Sequence, residues 1–135
     1  MTRTQWVVLI AIAALLLSLC LVEVMRGEDP RTANREALAL DLTHLALRAQ
    51  DYYHRPVSTG GGQGTFIGLN ADATGLSKLT SRPRNTNGTF AIVMAGDARS
   101  VALMGVGDQK GADGVCFIKL TMMVFADSMA LTENN

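Results

Sequence analysis

Residues 6–25, WVVLIAIAALLLSLCLVEVM, decide how the rest of the chain is read. No charge interrupts residues 6–22, and only Ser18 and Cys20 among them are mildly polar. At a rise of about 1.5 Å per residue, a helix over residues 6–25 reaches roughly 30 Å, the thickness of a hydrocarbon core. The stretch therefore predicts a transmembrane or filament-core helix, and with it a tethered or filament-forming small domain. Two processed alternatives compete with a retained helix. A cleaved secretory signal could use Arg3 as its basic region, yet no small-x-small cleavage site stands between Cys20 and Gly27. A lipoprotein signal would modify Cys20, but Leu19 occupies the place of the small residue that should precede it. Counting Lys and Arg alone, Arg3 on one side against Arg26, Arg31 and Arg35 on the other favours a cytoplasmic C-terminus.

The 135 residues amount to one domain, with twelve basic and twelve acidic side chains and no formal net charge. Such a balance exerts no broad electrostatic pull toward nucleic acid. Four Phe, two Tyr and one Trp leave the core to be built mainly from Leu, Val, Ile, Met and Ala. Cys20 lies in the apolar run and Cys116 in a strand pattern, which argues against a disulfide between them.

In residues 26–30, RGEDP, Gly27 and Pro30 each weaken a helix. The segment is either a kink inside one long helix or a stop, with Asp29 capping a new helix that begins at Pro30. Over residues 31–55, Leu38, Leu42, Leu45, Ala49 and Tyr52 recur at the 4-3-4-3 spacing of one helical face. Arg35, Glu36, Asp41, Arg48 and Asp51 occupy other faces, and Pro56 ends the pattern. Residues 58–64, STGGGQG, read as a flexible connector. Residues 65–69 predict a short strand, residues 70–79 a turn or two of helix, and residues 81–88 a polar loop.

The period then changes. Residues 89–95, 100–106 and 115–125 read as three strands joined by loops at 96–99 and 108–114. The tail from Asp127 is expected to fray. An antiparallel sheet of this size needs one face covered, and the stripe from Leu38 to Tyr52 is the long amphipathic element able to cover it. The fold class predicted is α+β: a long N-terminal helix, apolar in its first half and amphipathic in its second, packed on a small antiparallel β-meander. Residues 1–30 form the membrane or filament helix and its Gly/Pro break, and residues 31–135 the domain.

That layout resembles the type IV pilin and pseudopilin family. The resemblance rests on the order of parts, the interruption at Gly27 and Pro30, and LALRAQDYYHRP running into a glycine-rich turn. No Gly/Ala–Phe leader junction precedes Trp6, and the acid of the segment, Glu23, lies near its far end. The resemblance implies a structural subunit of an extracellular filament or secretion pseudopilus, held in the inner membrane before assembly and then displayed at the cell surface. Its partners would be further copies of itself, the membrane before assembly, and an assembly machinery. Trp6, Leu9, Ala13, Leu15, Leu16, Leu19 and Val22 would line the helix bundle, with Ala11, Ala13, Ala14 and Ser18 allowing close approach. The alternative is a single-pass membrane-anchored domain that binds a ligand or partner at the surface.

No catalytic constellation is apparent, so no enzyme, cofactor or metal is expected. Asp41 and His44 are i, i+3 neighbours, and His54 lies ten residues on, but no third ligand is indicated. Gly60 to Gly64 lack the Gly-Lys-Ser/Thr ending of a phosphate loop. The loop at 108–114 carries two carboxylates without the alternation of an EF-hand. Asn87-Gly88-Thr89 matches a glycosylation sequon and equally a turn.

Overall fold

The computed structural model describes residues 2–25 and 29–134, with side chains described for 2–18 and 29–134. Its elements are α1 (Arg3–Met25), α2 (Pro30–His54), a 3-10 turn (Val57–Thr59), α3 (Ala73–Ser77), and strands β1 (Gly88–Met94), β2 (Ser100–Lys110), β3 (Phe117–Phe125) and β4 (Met129–Glu133). The architecture is α+β, with three α-helices and one four-stranded antiparallel sheet in the order β1-β2-β3-β4.

The expected single long N-terminal helix is corrected to two separate helices. Pro30 opens α2, and the Asp29 side chain accepts from the Arg31 N–H at 3.2 Å. Proline loses nothing at a first helical position, where its missing donor has no intrahelical partner. The proposed break at Gly27 lies outside the described residues. The transmembrane assignment is also corrected: among the described residues no helix is long and apolar enough to cross a membrane. The apolar side chains described in α1 run from Trp6 to Leu17.

The meander forms because its strands alternate at period two. In β3, Ile118, Leu120, Met122 and Val124 are buried while the residues between them are not. Phe90 and Ile92 from β1, and Val101 and Leu103 from β2, share that inner face. Leu38, Leu42, Leu45, Ala46, Ala49 and Tyr52 bring the stripe of α2 onto it, and Phe66, Leu69, Leu76 and Leu79 close the flank. Gly105, paired between Phe90 and Leu120, permits the close approach of the helix. A Cβ there would lie 3.0 Å from Leu38 Cγ and 3.1 Å from Phe90 Cε1.

The loop expected at 108–114 is shorter at its start, since β2 runs on to Lys110, and β3 begins at Phe117 rather than at residue 115. Three further local expectations change. Residues 65–69 form no strand: Phe66 N–H donates to Asp97 O at 2.8 Å, Leu69 N–H turns back to Phe66 O, and Gly68 takes φ 103°. A chain with that left-handed bend crosses to the β1–β2 hairpin and cannot run beside a strand. The tail is ordered as β4, with Val124 paired to Met129 and Leu120 to Glu133. Without it the backbone groups along the edge of β3 would lack partners. The glycine-rich connector is bonded in place. Gly62 and Gly64 N–H donate to Tyr52 O and Tyr53 O at 2.7 Å each, satisfying carbonyls that the end of α2 leaves open. A Cβ on Gly62 would collide with Thr65 O and with the Tyr52 ring.

Leu42 is fully buried on the α2–sheet seam. Leu42→Ala is expected to cost about 2–5 kcal/mol, read as a lower urea midpoint with an unchanged denaturant slope.

Candidate functional site

The surface feature that sets this chain apart is α1. In its first turn Gln5 N–H donates to Thr2 O, and the Gln5 side chain reaches back to accept from Thr2 N–H, each at 3.0 Å. Beyond that turn, every described side chain of the helix is exposed. Trp6 is 58% exposed, Leu15 64% and Leu17 68%, and Leu9, Ala13 and Leu16 are open as well. Ser18 adds no unmet polar demand, since its hydroxyl donates to Leu15 O at 2.8 Å. No described part of the chain covers this apolar cylinder. A contiguous patch of that kind marks an interaction surface. The Leu19 and Val22 side chains lie outside the described residues.

Behind it stands the seam that holds α2 to the sheet. Leu38, Leu42 and Ala49 are fully buried, and Leu45 and Tyr52 nearly so. Pro30 is exposed at the entrance to the helix. Polar side chains on the flanks of α2 reach the loops on either side, a role that the periodicity did not reveal. Asn34 donates to Asn87 O at 2.8 Å, Arg48 to Leu79 O at 2.9 Å, and Tyr52 to Ile67 O at 2.7 Å. Gln50 donates to Phe125 O and Ser128 O, tying down the β3–β4 turn. Arg35 pairs with Glu133 at 2.9 Å, joining the first turns of α2 to β4. Asn, Gln and Arg on a helix flank read from sequence as ordinary solvent-facing residues, so no local signal announces these contacts.

The titratable groups weighed from sequence separate in space. His44 lines a cleft beside Asp41, whereas His54 sits at the far end of α2, 3.3 Å from Ala126 O and 3.9 Å from Asp127. Among the described residues no group of three His, Cys, Asp or Glu side chains stands together as a metal site. The sequon amide of Asn87 donates to Asp41 Oδ2 at 2.8 Å, so the nitrogen that would carry a glycan is engaged. Asp113, in the loop weighed for calcium, spends Oδ1 on the Val115 and Cys116 N–H groups.

The perturbed carboxylates are turn formers. The Thr74 hydroxyl and then the Gly75 N–H hold the Asp72 carboxyl below its ordinary range. The Arg99 and Ser100 N–H groups do so at Asp97, and those of Val115 and Cys116 at Asp113. Each shift comes from hydrogen bonds to the ionised form at an exposed turn, the signature of local structure rather than of a proton-transfer site. Cleft residues Arg48, Thr80, Arg82, Asn85 and Phe90 were not singled out from sequence. The basic run SRPRN at 81–85 was the one available signal.

No family model, curated protein or solved structure matches this chain.

The depressed carboxylates set the sign of the acid response. Their contribution is complete above the unfolded carboxylate value of about 4 and is lost as pH falls through the lower folded values. The urea midpoint should therefore hold between neutrality and about pH 4 and drop below it. Asp97→Asn should lower the neutral midpoint and flatten the drop; an acid limb as steep as in the parent chain would contradict the assignment.

Proposed function

We propose that this protein is a structural subunit of a pilin-like extracellular filament or secretion pseudopilus, polymerising through α1. One observation carries the reading: the domain completes its own core with α2 and the sheet, and it leaves an exposed helix that is apolar on every side. Water penalises that surface at about 25 cal/mol per Å², so sister helices are its natural cover. Ala11, Ala13 and Ala14 present small side chains along the cylinder, which lets neighbouring helices approach closely. The contact can repeat because a helix without a single apolar face can meet several neighbours at once. In such a polymer the α1 helices form the core, and the α2–sheet domains tile the outside. Polar loops and the Arg35–Glu133 pair belong to the outer layer, where salt and pH act on the domain rather than on the bundle. The mechanism is thus assembly, with a modest gain per helix summed over many copies.

Leu15→Asp is the direct test. A carboxylate buried among sister helices costs several kcal/mol without a partner, whereas Leu15 makes no contribution to the core of the domain. The parent chain is expected to give regular fibres by negative-stain electron microscopy and to pellet on ultracentrifugation. The variant should stay in the supernatant with the far-UV circular dichroism of a folded domain. Normal fibres from Leu15→Asp would defeat the reading.

A further inference from the structure

We propose that the cleft between α2 and the segment at 80–90 binds a small organic acid, a single carboxylate carried on a flat apolar body. The cleft measures about 210 Å³ and is lined by Asp41, His44, Leu45, Arg48, Thr80, Arg82, Asn85 and Phe90. Its chemistry is divided. Leu45 and Phe90, both almost wholly withdrawn from solvent, give it an apolar floor. Arg48, Arg82 and His44 give it a basic rim. Among the described residues neither the Arg82 guanidinium nor the His44 ring has an ion pair or side-chain hydrogen bond. Arg48 uses one nitrogen on Leu79 O at 2.9 Å, which fixes its position while other donors stay open. The acid in the lining, Asp41, already receives the Asn85 and Asn87 amides at 2.9 and 2.8 Å. Those amides pin Asp41 in place and satisfy the oxygen they reach.

These groups select the ligand. Two guanidiniums against one carboxylate leave net positive charge, in a chain whose total is zero. Guanidinium forks match carboxylate geometry and form its stronger, charge-assisted hydrogen bonds. The Leu45–Phe90 floor favours an apolar body over acetate or phosphate, neither of which can cover it. The volume lies below the roughly 300–1,000 Å³ of drug-sized sites, so the occupant is small. None of this depends on polymerisation, and none of the lining residues belongs to α1.

Equilibrium dialysis of the full chain against radiolabelled benzoate tests the proposal whatever the state of assembly. Saturable binding of one benzoate per chain is expected, with acetate and phosphate competing about tenfold less well. Arg82→Gln touches no internal partner. It should keep the parent circular dichroism and weaken benzoate about tenfold, while Arg99→Gln on the β1–β2 hairpin leaves binding unchanged. Absence of saturable benzoate binding, an unaltered affinity in Arg82→Gln, or phosphate competing as well as benzoate would each overturn it.

Discussion

The structure depends on the burial of one helical stripe against one sheet face. A four-stranded antiparallel sheet exposes two faces, and its inner one is lined by Phe90, Ile92, Leu103, Leu120, Met122 and Val124. In water that face needs a cover, and α2 supplies it through Leu38, Leu42, Leu45, Ala49 and Tyr52. Once α2 is docked, its flanks become an anchoring rail. Asn34, Arg48 and Gln50 each donate to a carbonyl of a different loop or turn, and Tyr52 does so from the stripe itself. Hydrogen bonds of this kind contribute about 1 kcal/mol apiece; their effect here is to give each loop a single place to sit. The hydrophobic seam supplies the energy and the rail the order.

Against that self-sufficient unit, α1 is an imbalance. Its first turn is bonded back to Thr2, its serine bonds its own backbone, and its side chains from Trp6 to Leu17 lie open to solvent. A helix polar on one side would find rest by laying its apolar face on a single partner. This one has no polar side among its described residues from Trp6 to Leu17, and in the proposed polymer like helices would surround it. The separation of roles follows: α2 and the sheet maintain a folded domain, while α1 holds surface that the domain leaves uncovered. The break between the helices, marked by Asp29 and Pro30, is where one role gives way to the other.

The polar chemistry is distributed by the same logic. Asp72, Asp97 and Asp113 are held ionised by nearby N–H or O–H donors and serve to shape turns. Asp41 is different in kind, because its partners come from residues more than forty positions away and draw the 80–88 loop against α2. That long-range contact creates the cleft, with a basic rim over an apolar floor. A sequence-neutral chain can thus carry a local charge preference where folding brings Arg48 and Arg82 together.

What the sequence determined by itself was set by periodicity and punctuation. The 4-3-4-3 run from Leu38 to Tyr52 specifies the face of α2, Asp29 and Pro30 specify its start, and alternation specifies β1, β2 and β3, because those signals act over a few neighbouring residues. Only the tertiary structure decided the rest. Met129 to Glu133 became a strand because the edge of β3 required partners, although the segment's own residues promise little. The glycine run became a bonded cap because the last carbonyls of α2 lay within its reach, and the segment from Phe66 to Leu69 turned across to the hairpin because Asp97 O stood there to receive it. In each case the deciding group lies far along the chain or belongs to a backbone that side-chain patterns do not report. The apolar character of α1 was legible residue by residue, whereas its lack of cover was a property of the folded domain, whose core closes without it.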